Sequence, residues 1–166
     1  MATLTTKVTE SIVLDGQSYS ASHTKSISDI TQVLKTVIEV PAGTAKTLDV
    51  IGFASAATGI ATLDQDDVRY CRITNLDVTN FVCLGIEDTS GDNAYYIKLD
   101  VGRSYILPVP DNNSDGDFTH PSFFADDGGH TFDDSSENFV DVTSITAYAD
   151  TAVCKIELYI ALDTTT

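Results

Sequence analysis

The chain has 166 residues, a formal net charge of −16 and a hydrophobic content of 42%, including seven Phe and seven Tyr. This length and apolar content predict one folded domain, residues 1–166, whose core needs no metal or disulfide staple. Because such an acidic surface repels phosphates and anionic lipids, we expect neither nucleic acid nor a membrane surface as partner. No stretch reaches the roughly 20 apolar residues of a membrane-spanning helix, and the first residues lack a signal-peptide core.

Strand signals separated by turn residues begin near the N-terminus. Residues 7–14 favour an edge strand that ends at the Asp15-Gly16 turn, whereas the Ser- and Thr-rich residues 18–28 favour a loop. Further strands are predicted at 34–40, 47–53 and 68–76. We expect flexible ends at residues 1–6 and 163–166.

The second half of the chain continues the strand pattern. Residues 81–86 and 94–99 flank a turn at 90–93, and a third strand at 105–107 follows a glycine, which together predict a β-meander. Near the C-terminus, apolar residues alternate with polar ones in the clearest period-two stripe of the chain. The residues predicted to face the core there are Cys154, Ile156, Leu158, Ile160 and Leu162.

The pattern amounts to about eight to ten short strands, with neither a three-turn helix nor βαβ alternation. It predicts an all-β, single-domain β-sandwich, jelly-roll-like, with a long acidic loop region. Three cysteines at wide spacing, Cys71, Cys83 and Cys154, are expected to be small buried hydrophobes and not a disulfide framework.

The acidic loop region runs from residue 108 to about 138. Asp111, Asp115 and Asp117 supply carboxylates that suit a hard cation such as calcium, and Gly116 permits a sharp turn. The spacing lacks the register of an EF-hand loop, so the alternative is a solvated acidic loop. Five phenylalanines in this region are expected to tuck under the domain or to dock on a neighbouring chain: Phe118, Phe123, Phe124, Phe132 and Phe139.

Enzyme signatures are missing from the sequence. It contains no GxSxG elbow, no HExxH, no P-loop and no dinucleotide-binding glycine fingerprint. His23, His120 and His130 are expected to be surface or loop residues, and the Asp126-Asp127 and Asp133-Asp134 pairs to stay solvated. We therefore expect a protein that is not an enzyme and holds no cofactor, apart from the calcium considered above.

Three segments carry a resemblance: VTESIVLDGQSY, DVRYCRITNLDVTNFVCLGI and LDVGRSYILP, within residues 7–110. They resemble small β-rich virion structural proteins of tailed bacteriophages, notably marine and cyanobacterial ones. The resemblance implies a capsid decoration (cement) subunit, made in the host cytoplasm, that binds the major capsid protein on the outside of the virion. For a subunit with this role we also expect a homo-oligomer, such as a trimer, because cyclic assembly suits contacts that repeat over a shell.

Two further expectations accompany this resemblance. Exposed strand edges and the Thr-rich ends are suited to extend onto a neighbouring subunit and add a strand. The alternative function is a tail, head-fibre or baseplate component that binds host glycans, for which Asn93, Tyr95 and Tyr96 are the nearest sugar-contacting candidates.

Overall fold

The structure, a computed structural model, describes residues 1–43, 48–54, 62–64, 67–88, 94–107 and 142–165. Strands dominate these residues, and the all-β prediction is confirmed. In chain order the strands are β1 (Ala2–Leu14), β2 (Gln17–Ile30), β3 (Gln32–Val40), β4 (Leu48–Ala54), β5 (Thr62–Asp64), β6 (Val68–Asn75), β7 (Val82–Asp88), β8 (Ala94–Leu99), β9 (Ser104–Leu107), β10 (Val142–Ala149) and β11 (Cys154–Leu162).

Two sheets pack face to face and enclose the core. One has five strands in the order β5-β4-β10-β7-β8, and the other has four in the order β3-β11-β6-β9. Neighbouring strands are antiparallel except β4 and β5. The predicted β-sandwich is confirmed, whereas the jelly-roll connectivity stays a prediction.

Strand β11 lies in the middle of the four-stranded sheet, between β3 and β6. The five apolar residues predicted to face the core are all buried there, because a strand paired on both sides presents alternate side chains to the opposite sheet. Cys71 and Ile73 on β6 are fully buried in the same layer. All three cysteines are free; Cys71 and Cys154 are buried, and Cys83 is half-buried.

The predicted meander is wrong in its last step. Strands β7 and β8 do form an antiparallel hairpin in the five-stranded sheet, but β9 pairs with β6 in the four-stranded sheet. The chain therefore crosses between the sheets after β6 and again after β8. The second crossing includes Gly102, whose φ of 66° lies in the left-handed region that favours glycine.

The fully buried side chain of Asn75 connects both crossings. Its Nδ2 donates hydrogen bonds to the carbonyl oxygens of Asn80 (2.9 Å) and Leu99 (3.0 Å). Its Oδ1 accepts a hydrogen bond from the backbone N–H of Asp77 (2.9 Å). One amide thus satisfies backbone groups where the chain leaves each sheet, and period-two pattern analysis has no means of detecting such a contact.

The loop predicted at residues 18–28 is also wrong, because these residues belong to β2. Strand β2 pairs with β1 along its whole length, from Leu14↔Gln17 at the turn to Ala2↔Ile30 at the other end. Residues 2–6, which the sequence predicts to be a flexible end, therefore lie in β1. The predicted Asp15-Gly16 turn is present, with φ values of 50° and 77°. Two consecutive positive φ values are typical of the type I′ turn that closes two-residue hairpins.

Candidate interaction surface

Strands β1 and β2 form a two-stranded ribbon that belongs to neither sheet of the sandwich. We call this ribbon, residues 2–30, the arm. At about 3.3 Å per residue its strands extend roughly 40 Å. An isolated two-stranded hairpin is marginally stable in water, so a ribbon of this length is expected to pack on another surface.

The arm has two chemically different faces, because residues paired across a hairpin point to the same side. The first, which we call the apolar face, carries the pairs Leu4/Ile27, Thr6/Lys25, Val8/His23, Glu10/Ala21, Ile12/Tyr19 and Leu14/Gln17. The second, the hydroxyl face, carries Thr5/Ser26, Lys7/Thr24, Thr9/Ser22, Ser11/Ser20 and Val13/Ser18. Large aliphatic and aromatic side chains are therefore concentrated on one side of the arm.

The apolar face is covered at its base and exposed towards its tip. Leu4 and Ile27 at the base are half-buried. Farther out, 52% of Val8, 59% of Ile12 and 54% of Tyr19 is exposed. The outer part of the apolar face therefore extends beyond the body of the protein, and its large apolar side chains are more than half exposed.

The base of the arm lies over the outer face of the four-stranded sheet, the side that points away from the core. On this outer face, Arg72 Nη2 lies 2.5 Å from Glu157 Oε1, and Lys35 Nζ lies 3.2 Å from Glu157 Oε2. The Arg72 guanidinium also stacks over the Tyr159 ring, 5.6 Å from its centroid. Two cations therefore share one carboxylate beside an aromatic ring.

Tyr70 completes this aromatic cluster. Its ring meets Tyr159 edge-on, with 6.1 Å between centroids. Burial raises the pKa of the Tyr70 hydroxyl, and the neighbouring Arg72 charge opposes that rise. The hydroxyl therefore stays neutral, acting as a donor and acceptor at neutral pH.

A groove of about 370 Å³ lies between the arm base and the outer face. Leu4 and Val8 line it from the arm, and Tyr70, Arg72 and Ile106 line it from the sheet. Arg72 Nε is buried and has no hydrogen-bond partner in the part of the chain that the structure describes. The groove therefore combines apolar and aromatic walls with a cationic group.

The outer face also exposes apolar side chains, both at the groove and away from it. The exposed fractions are 47% for Val33, 52% for Val37 and 45% for Ile106. Val33 and Val37 lie on β3, an edge strand of the four-stranded sheet. The outer face is thus a second partly apolar surface next to the arm.

Charge is distributed unevenly between these surfaces and the rest of the chain. The arm has two basic and three acidic residues: Lys7, Lys25, Glu10, Asp15 and Asp29. The outer face has three basic and two acidic residues on β3, β6 and β11: Lys35, Arg72, Lys155, Glu39 and Glu157. Their net charges of −1 and +1 cancel, so the full −16 of the chain lies elsewhere.

The predicted cation ligands Asp111, Asp115 and Asp117 lie outside the described residues, as do His120, His130, the two Asp pairs and the five phenylalanines. Within the described ranges, His, Cys, Asp and Glu side chains form no group of three or more that is placed to hold a metal ion. His23 is exposed on the arm, opposite Val8. No helix in the described part of the chain is long and apolar enough to cross a bilayer.

The predicted sugar-contacting tyrosines do not share a surface. Tyr95 and Tyr96 are adjacent on β8 and therefore point to opposite faces of the sheet. The Tyr95 hydroxyl lies 3.3 Å from that of Tyr105, and burial raises the pKa of Tyr95. Tyr96 alone is exposed, at 71%. Asn93 lies outside the described residues.

Comparison with known proteins adds no family to this description. The sequence matches no protein-family model, no curated protein and no solved structure.

Proposed function

We propose that this chain is a non-catalytic structural subunit of a tailed-bacteriophage particle, namely a capsid decoration protein on the outside of the shell. The observation that carries this proposal is the arm. The sandwich has its own core, whereas the arm exposes large apolar side chains on its apolar face. They are Val8, Ile12, Leu14 and Tyr19. Exposed apolar surfaces of this kind are typical of protein interaction sites.

The resemblance of residues 7–110 to virion proteins narrows the class of assembly to phage particles, with the major capsid protein as partner. A decoration subunit must remain soluble at high copy number, and a net charge of −16 favours solubility. It then binds a repeating lattice, where many weak contacts add up through avidity. An apolar arm on an acidic body suits both requirements.

The test is to locate the protein in intact particles by cryo-electron microscopy and to read its copy number from the same map. We expect density that repeats over the capsid lattice, at a copy number comparable to that of the major capsid protein. Density confined to the tail, fibres or baseplate would favour the alternative function. The absence of the chain from the particle would overturn both.

A further inference from the structure

We propose that the apolar face of one arm packs on the outer face of the four-stranded sheet of a second copy, so that the chain assembles with itself. The inference goes beyond the capsid proposal, because self-association needs no capsid. In a decorated particle the arm then joins neighbouring copies of this chain, and the shell is bound by another part of the subunit. The partner of the exposed part of the arm is the β3-β11-β6-β9 sheet of another copy of this chain.

The first support is that these two surfaces already meet within one chain. Leu4, at the base of the arm, and Val8, farther out, line the same groove as Tyr70, Tyr159 and Ile106 of the outer face. Leu4 is half-buried there. The contact that we infer between copies therefore repeats, farther along the arm, a kind of contact that the single chain already makes.

The second support is that each surface leaves apolar side chains exposed. On the arm, Ile12 and Leu14 are 59% and 57% exposed. On the outer face, Val33 and Val37 are 47% and 52% exposed. Burying these side chains against one another removes apolar area from water on both copies, at about 25 cal/mol per Å².

The third support is electrostatic. Two copies that each carry −16 repel one another over most of their surfaces. The arm carries −1 and the outer face +1, so a contact between them brings together the parts of the two copies that carry little of that charge. The opposite signs of these two net charges mean that charge does not oppose this pairing.

The base of the arm is fastened to the body at Thr31. A single residue, Thr31, separates β2 from β3, and its N–H donates a hydrogen bond to the Leu162 carbonyl at 2.9 Å. The Thr31 hydroxyl donates to the same oxygen at 3.3 Å. A paired ribbon anchored in this way loses less conformational entropy on binding than a free tail does.

The available area matches a small specific interface. The exposed part of β1 from Val8 to Leu14, with its partner strand, measures roughly 23 Å by 10 Å. In a reciprocal pair two arms and two sheet faces are covered, which buries on the order of 1,000 Å². That is the size at which specific interfaces begin. The affinity then depends on how well the contact packs, so association has to be measured across the micromolar range.

The test is the solution mass of the full chain, measured by analytical ultracentrifugation up to about 100 μM. The apolar-face variant is Ile12→Thr/Tyr19→Thr, which keeps β-branched residues in both strands. The matched control is Val13→Thr/Ser18→Thr, which changes the next cross-strand pair on the hydroxyl face. Val33→Thr/Val37→Thr tests the other side of the same contact. Circular dichroism checks that each variant retains its strands.

We expect the wild type and the control to form an oligomer, with a mass that is a multiple of 17.8 kDa. We expect the apolar-face variant and the β3 variant to weaken the association on the order of 100-fold. A monomeric wild type would overturn the inference, as would equal behaviour of the apolar-face variant and the control. If the wild type is monomeric yet decorates capsids, the inference fails while the proposed function stands.

Discussion

Ile12 and Tyr19 face each other across the arm as a cross-strand pair, and more than half of each side chain is exposed. Aromatic and β-branched residues stabilise a hairpin when paired in this way. The pair therefore serves two purposes: it strengthens the ribbon and presents an apolar surface. The contact between the two side chains helps to keep the strands of the arm in register, and their exposed surfaces can still bind a partner.

The buried amide of Asn75 should be essential to stability. We expect Asn75→Leu to lower the free energy of unfolding by roughly 2–4 kcal/mol, because it leaves the carbonyls of Asn80 and Leu99 and the N–H of Asp77 without their partner. Urea denaturation measures the loss. Thr151→Ala is the control: it removes an exposed hydrogen bond to Asn80 Oδ1 and should cost under about 1 kcal/mol. Equal losses in the two variants would contradict this role.

Gly85 should not tolerate a side chain. A Cβ at this position would lie 2.5 Å from Thr146 Oγ1 and 3.2 Å from Cε1 of Tyr96. We therefore expect Gly85→Ala to destabilise the protein by about 1–3 kcal/mol. The additional substitution Thr146→Ala should restore part of that loss by removing the closer contact. Thermal unfolding of both variants checks this, and a double variant no more stable than Gly85→Ala would show that the clash is not the cause.

The thiol of Cys71 should be inert in the folded protein. Burial raises its pKa to about 12, and the thiolate is the reactive form. Labelling with a thiol reagent at pH 8, followed by mass spectrometry of peptides, should therefore leave Cys71 unmodified until denaturant is added. Cys83, which is half-buried, provides the internal comparison. Modification of Cys71 in the native state at the rate of a free thiol would contradict the burial described above.

Asp77 should make stability depend on acid pH. Hydrogen bonds from the backbone N–H groups of Asn80 and Thr79 hold the pKa of its carboxyl below the ordinary 3.8. The folded state thus favours the ionised form, so this stabilisation is complete above pH 3.8 and is lost as the pH falls through the folded pKa. The wild type should exceed Asp77→Asn in unfolding free energy at pH 6, and the difference should shrink at pH 3. A constant difference would argue against linkage at this site.

Much of the sandwich could be predicted from the sequence, because each strand packs one face on the core. The alternation around Ile156 and Leu158 leads directly to a buried central strand, and β3, β6, β7 and β8 are near their predicted positions. The sheet to which β9 belongs could not be predicted from the sequence. The chain crosses from the five-stranded to the four-stranded sheet just before β9, near the buried amide of Asn75. Local strand and turn patterns predict which residues form strands, but they do not predict which sheet a strand joins after such a crossing.

The arm was only half predictable. Its first strand and its Asp-Gly turn follow from β-branched alternation and turn chemistry. Its second strand does not follow from composition, because the Ser and Thr residues between 18 and 28 resemble a loop, although hydroxyl residues also suit the polar side of a ribbon. The signal lay in the alternation of Tyr19, Ala21 and Ile27 with those hydroxyls. The predicted calcium ligands Asp111, Asp115 and Asp117 remain a prediction.

The most direct test of the central claim is site-specific photo-crosslinking in the assembled particle, with a benzophenone amino acid at Ile12 or, as control, at Ser11. The two positions are adjacent on β1 but point to opposite faces. We predict strong crosslinks from position 12 to another copy of this chain and far weaker ones from position 11. Equal yields from the two positions, or none from position 12, would contradict the claim that the apolar face of the arm binds a partner.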